Sequence, residues 1–178
     1  MIYLFLAEGF EEIEALTPVD MLRRAGKEIV TVGIGSKTVV GAHGIPVVAD
    51  MSEEEFSDAS PEMIILPGGM PGTLNLDASQ TVHTAIDCAL ASNAYIAAIC
   101  AAPTVLGKRG LLVGKKATCY PGMEDGLTGA ILSEKTVVRD GRIITAAGMG
   151  AALAFSLELI SALCGEDKAG ALKTAVVG

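Results

Sequence analysis

The segment Tyr95–Ile99 is apolar throughout and is followed at once by Cys100-Ala101-Ala102-Pro103, and this junction limits what the chain can become. A strand with one wet face would alternate polar and apolar residues, so a short unbroken run of this kind predicts a parallel strand buried on both faces. Pro103 suits the first turn of a helix, where its missing N–H leaves no bond unmade, and Thr104–Lys108 continue in helical register. Cys100 is therefore expected in a strand-to-helix turn, the geometry that lifts a nucleophile over the carboxyl end of a sheet. A sulfur there meets unpaired N–H groups and the positive end of the helix dipole, which predicts a favoured thiolate.

The same pattern recurs along the chain. Ile2–Leu6 reads as a strand and leads through Ala7–Glu12 into a helix over about Ile13–Ala25, with Gly26 closing it. Glu28–Gly33 then returns as a second strand, completing a right-handed βαβ unit. Thr38–Val40 and Ile45–Val48 read as a hairpin around Gly41-Ala42-His43-Gly44. Asp50–Pro61 reads as an acidic surface connection with a short helix near Glu53–Phe56. Met63–Leu66 is the next buried strand and runs into Pro67-Gly68-Gly69-Met70-Pro71-Gly72, whose bare backbone can face a small ligand. Gln80–Ala91 is an amphipathic helix with Val82, Ala85, Ile86 and Ala89 inward. Lys116–Cys119, Thr136–Arg139 and Arg142–Ala146 are further strands, the last two turning at Asp140-Gly141. Ala151–Leu163 and Glu166–Val177 are closing helices. Strands alternating with helices across glycine-rich turns predict one domain over residues 1–178. Its expected fold is a three-layer α/β/α sandwich on a largely parallel sheet with β-hairpin excursions.

Composition narrows the partners. A net charge of −8 and no local cluster of Lys or Arg argue against nucleic acid. No run is long and uncharged enough to span a bilayer, and no basic leader opens the chain, so a cytoplasmic protein is expected. Four cysteines without paired spacing fit free thiols in a reducing compartment, and with two histidines they offer no metal-ligand pattern. Cys164 is expected to be a small buried hydrophobe, Cys88 and His83 packing or surface positions, and His43 a solvated turn residue. The glycine loop carries neither a dinucleotide fingerprint nor a phosphate loop with its lysine, so no cofactor is implied.

In a doubly wound sheet the turns after the first strand, after Met63–Leu66 and after Tyr95–Ile99 converge. They would bring together an acid from Glu8, Glu11, Glu12 or Glu14, the glycine loop and the Cys100 thiol. A solvated acidic face at the helix entrance is the plain alternative for those carboxylates. Gly69 and Ala101 N–H groups are the natural donors to an oxyanion formed when Cys100 attacks a carbonyl. Both histidines precede Cys100 in segments with no evident approach to it, which disfavours a protease-like or amidotransferase-like triad. A carboxyl group beside the thiol can instead share its proton, and can donate to the oxidised sulfur.

Taken together, Ala7-Glu8-Gly9-Phe10-Glu11-Glu12-Ile13-Glu14, Pro18-Val19-Asp20, Arg23-Arg24-Ala25-Gly26, Leu66-Pro67-Gly68-Gly69 and Ala97-Ala98-Ile99-Cys100-Ala101-Ala102-Pro103 closely resemble the ThiJ/PfpI superfamily. The resemblance extends over essentially the whole chain. It implies a flavodoxin-like fold, a homodimer and no cofactor. It also implies Cys100 as the oxidation-sensitive nucleophile, Glu14 as its acid, and Gly69 and Ala101 as backbone donors. Gly68, Tyr120, Arg24, His43, Gly148 and Met149 match positions near the pocket or its dimer-side wall. The activities it implies are glyoxalase- or deglycase-type conversion of small reactive carbonyls such as methylglyoxal, or sensing of oxidants through Cys100. Two positions depart from the pattern: Tyr120 stands where some relatives carry histidine, and Gly148-Met149-Gly150 replaces a common Gly-Pro-Gly.

Overall fold

A computed structural model describes residues 1–57 and 60–177; positions 58 and 59 of the expected Asp50–Pro61 connection, and residue 178, lie outside the described residues. In chain order the elements are β1 (Ile2–Leu6), α1 (Glu12–Arg24), β2 (Ile29–Gly33), β3 (Thr38–Val40), β4 (Pro46–Val48) and β5 (Met51–Ser52). There follow β6 (Met63–Leu66), α2 (Gly72–Ala78), α3 (Gln80–Ala91), β7 (Tyr95–Ile99), α4 (Pro103–Lys108), β8 (Lys116–Ala117) and β9 (Ile131–Leu132). The chain ends with β10 (Val137–Asp140), β11 (Ile143–Ala146), α5 (Ala152–Cys164) and α6 (Glu166–Ala175). The main sheet has the order β10-β11-β7-β6-β1-β2-β5, parallel except at the β10–β11 hairpin.

The two-faced burial of the central strands has a direct cause in their sequences. Along β1, Ile2, Leu4 and Leu6 enter one core while Tyr3 and Phe5 enter the other. Met63 and Ile65 of β6 divide from Ile64 and Leu66 in the same way, as do Ala97 and Ile99 of β7 from Ile96 and Ala98. Successive side chains on a strand point to opposite faces, so a strand between two cores must be apolar at every position. Phe155 and Leu159 of α5 pack with Ala15 and Leu22 of α1 in the first core; Val82, Ala85, Ile86 and Ala89 of α3 fill the second. The result is the expected three-layer α/β/α sandwich, with the hairpin β3–β4 lying outside the main sheet.

Several local expectations need correction. α2 is a helix where none is evident from the sequence, because Gly72, Thr73 and Asn75 are poor helix formers that tertiary contacts override. The predicted Lys116–Cys119 strand stops at Ala117, since the Thr118 N–H turns to the hydroxyl of Thr145 at 3.0 Å. Cys164 is exposed, because it is the last residue of α5 and Gly165 leads the chain away immediately after it. Among the described residues, no helix is long and apolar enough to cross a membrane.

Candidate active site

β1 lies between β2 and β6, so the chain departs to opposite sides of the sheet from β1 and β6, and a crevice opens beyond their carboxyl ends. Three segments meet there. α1 brings Glu14, the turn after β6 brings Gly68 and Gly69, and the turn after β7 brings Cys100.

Cys100 has φ of 65°, the left-handed region that costs a residue with a side chain about 1 kcal/mol or more. The surrounding backbone imposes this conformation. The Cys100 N–H donates to the Ala146 carbonyl at 2.8 Å, and its own carbonyl accepts from the Tyr120 N–H at 2.8 Å. Two chain segments remote in sequence thus clamp the residue between them. The expected strand-to-helix turn at Cys100 is present, with Pro103 opening α4 three residues on.

Glu14 is fully buried on the first turns of α1. Its Oε2 accepts the Gly68 N–H at 3.0 Å, while Oε1 has no hydrogen-bond partner among the described residues. Gly68 must be bare: a Cβ built there would lie 2.5 Å from Glu14 Oε2 and 2.6 Å from the Cβ of Cys100. Gly69, at φ of 91°, presses against the turn before α1, where a Cβ would sit 2.5 Å from the Gly9 carbonyl oxygen. These close approaches explain why the sequence between β6 and α2 is glycine-rich.

Burial is the main force on both acidic groups. It pushes Glu14 up to about 7, opposed by hydrogen bonding from Cys100 and from the Gly68 N–H. It also pushes the Cys100 thiol up to about 12, helped by the negative charge and hydrogen bond of Glu14 and opposed by the N–H groups of Gly69 and Ala101. A favoured thiolate from the helix terminus alone is therefore not what this site provides: desolvation and the neighbouring carboxylate outweigh the donors. The two groups behave as a coupled pair. When Glu14 takes a proton its charge no longer opposes the thiolate, and the carboxyl group becomes a donor beside it.

The acidic cluster at the entrance to α1 is not a solvated face. Glu8 is exposed, but Glu11 and Glu12 are each 6% exposed. His43 is solvated as expected, yet it is also paired, its Nδ1 lying 2.9 Å from Glu12 Oε2. His83 is occupied elsewhere: its Nε2 lies 2.7 Å from the Asp77 carbonyl. Both histidines are thus held by partners other than Cys100.

Gly148 and Tyr120 do border the crevice. A Cβ at Gly148 would lie 3.3 Å from the Tyr120 ring and 3.9 Å from Glu14 Oε1. Met149, next in sequence, is exposed. Arg24 is not part of this group. It is paired with Asp20 at 2.6 Å on the exposed side of α1, ten residues beyond Glu14 and hence about 15 Å along the helix. The main features missed in the sequence are the clamp from Ala146 and the burial of Glu11. The first depends on the register between β7 and β11, and no local signal announces it.

The DJ-1/PfpI family model matches residues 1–162. The protein dj-1beta of Drosophila melanogaster is 36% identical over 166 residues, covering 92% of this chain and 89% of that one. A Caenorhabditis elegans protein named glutathione-independent glyoxalase DJR-1.2 is 32% identical over 167 residues, covering 93% and 89%. The crystal structure of a cysteine-to-alanine mutant of a DJ-1 superfamily protein from Salmonella typhimurium has a TM-score of 0.94 at 32% identity, covering 99% of this chain and 97% of that one. The sequence match begins in β1 and reaches into α5, carrying with it all three turns that build the Cys100 crevice, and on that extent this chain belongs to the DJ-1/PfpI family.

Proposed function

We propose that this protein is a cofactor-independent cysteine enzyme of the glyoxalase or deglycase type, acting on small reactive carbonyls and converting methylglyoxal to lactate. The observation that carries this reading is the unpartnered, buried Oε1 of Glu14 beside a thiol held on a left-handed elbow. The sulfur of Cys100 adds to the aldehyde carbon while its proton passes to Glu14, and the Gly69 and Ala101 N–H groups receive the developing oxyanion. A proton then leaves the former aldehyde carbon and is returned to the neighbouring carbonyl carbon through an enediol. This oxidises the first carbon and reduces the second within one molecule, giving a lactoyl thioester. Water hydrolyses it to lactate and the free thiol, so the net reaction consumes one water and no external oxidant. The glyoxalase name of the nematode relative agrees with this class. Lactate production from methylglyoxal by wild type, Cys100→Ser and Glu14→Gln tests the reading; equal rates in wild type and Cys100→Ser would overturn it.

A second reading rests on the same unpartnered carboxyl oxygen. Protonated, Glu14 can donate to an oxygen placed on the Cys100 sulfur, which favours oxidation that halts at the sulfinate and makes the residue an oxidant sensor. Cys164 gives this reading a demanding control, because it is the more exposed thiol. Mild peroxide should oxidise Cys100 first, and preferential oxidation of Cys164 would rule the sensor out.

The protein is further proposed to act as a homodimer. Ile13 and Leu16 on α1 are 51% and 38% exposed, and Leu153 on the adjoining α5 is also exposed, an apolar face on two packed helices. Light scattering of wild type against Leu16→Glu tests it, with a dimer becoming a monomer as the expected result.

A further inference from the structure

Glu11 and Glu12 stand side by side at the start of α1, both buried, and they are held differently. Glu12 is enclosed by the β3–β4 turn. Its Oε1 accepts the His43 N–H at 2.9 Å, its Oε2 lies 2.9 Å from His43 Nδ1, and the backbone at Gly41 is bare where a Cβ would strike the carboxylate. Among the described residues, no comparable hydrogen bond holds the carboxylate of Glu11. Its ion-pair contact is His43 Nδ1 at 3.6 Å from Oε2, beyond hydrogen-bond reach, although the residue is only 6% exposed. Glu11 thus keeps its charge in a largely buried position with its cationic contact at 3.6 Å, a setting that a directly bonded cation improves.

The imidazole nitrogen and one oxygen from each carboxylate all lie within 4.8 Å of one another. Two ligand atoms bound to zinc at tetrahedral angles are separated by roughly 3.3 Å, given bonds of about 2.0 Å. The separations from His43 Nδ1, 2.9 Å to Glu12 and 3.6 Å to Glu11, bracket that value. The His43 side chain is 66% exposed, so the remaining coordination positions open to water. A nitrogen with two carboxylate oxygens suits a zinc-class transition cation, whereas calcium and magnesium take oxygen alone.

We propose that Glu11, Glu12 and His43 form a binding site for a divalent cation of the zinc class, set between the entrance of α1 and the hairpin turn and distinct from the Cys100 thiol. Binding places the cation where the Nδ1 proton of His43 now lies and releases that proton to solvent. It replaces the 3.6 Å contact of Glu11 with a direct bond to a cation.

Calorimetric titration with Zn²⁺ of wild type, Cys100→Ser, Glu11→Gln and His43→Ala tests this. The expected result is one Zn²⁺ per chain in wild type and Cys100→Ser, with affinity at least tenfold weaker in both Glu11→Gln and His43→Ala. Glu11→Gln keeps the side-chain shape and His43 is exposed, so both should fold, which circular dichroism checks. Cu²⁺ loading adds an independent readout: electron paramagnetic resonance should show coupling to one imidazole nitrogen that disappears in His43→Ala. No Zn²⁺ binding by wild type, undiminished affinity in either variant, loss confined to Cys100→Ser, or persistence of the nitrogen coupling in His43→Ala would overturn the site.

Discussion

Gly68 and Cys100 touch so closely that a methyl group on one would overlap the other: a Cβ at Gly68 falls 2.6 Å from that of Cys100. It would fall equally hard on the acid, 2.5 Å from Glu14 Oε2. Gly68→Ala is expected to destabilise the fold by about 1–3 kcal/mol through overpacking. Because it displaces the proposed nucleophile and acid together, turnover of methylglyoxal should fall about 100-fold even at temperatures where the variant is fully folded. Thermal unfolding and kinetics on the same sample check both numbers.

Glu14 sets a pH dependence of stability whose sign follows from its burial. Its folded pKa, about 7, lies above the ordinary 4.5, so the protonated form is the one favoured by the fold. The associated stability is fully present below about 4.5 and is lost as pH rises through 7. In chelator-treated protein, Glu14→Gln should therefore be about 2–3 kcal/mol more stable than wild type at pH 8, with the difference fading toward pH 4. By the proposed mechanism the same variant should also turn over methylglyoxal more slowly. Denaturant midpoints across this range measure the first effect, and a flat difference with pH would contradict the burial argument.

How much of this was legible in the sequence depends on the range of the interactions. The central strands announced themselves because burial on both faces forces an unbroken apolar run, as in Met63–Leu66 and Tyr95–Ile99. Cys100 was visible for the same reason, standing between such a run and Pro103. The two-residue strands β5 and β9 carry too few residues to show any period. The charge pattern of Glu8 to Glu14 suggests a wet face equally well, and only the approach of Gly68 and of the β3–β4 turn buries Glu14 and Glu12. Local grounds mislead at the thiol: the helix terminus favours the thiolate, but desolvation and Glu14, both products of the tertiary structure, act the other way.

The left-handed backbone of Cys100 separates its chemical role from its structural cost. Glycine adopts φ near 65° without penalty, whereas alanine carries the same Cβ strain as cysteine. Cys100→Gly should consequently be about 1 kcal/mol more stable than Cys100→Ala, reversing the usual order for these residues. Both should be inactive toward methylglyoxal. If the alanine variant proves the more stable, the elbow is not strained.

Gly148 and Tyr120 set the width of the crevice above the acid. A methyl group at position 148 meets the Tyr120 ring at 3.3 Å, a tight contact, and reaches within 3.9 Å of Glu14 Oε1. Gly148 is extended, with φ of 165° and ψ of −171°, so alanine fits its backbone and the effect of substitution is confined to the space in front of the carboxyl group. Gly148→Ala should then leave methylglyoxal turnover within about threefold of wild type while lowering that of the bulkier phenylglyoxal at least tenfold, a discrimination of about 1–2 kcal/mol that one methyl group can supply in a packed site. Tyr120 is half-exposed and free to yield once shortened. Adding Tyr120→Ala to Gly148→Ala should restore the larger substrate, because the contact that narrows the crevice is the one to the ring. Equal losses for both aldehydes in the single variant would instead mean that the added methyl disturbs Glu14 itself, and the double variant would then remain slow.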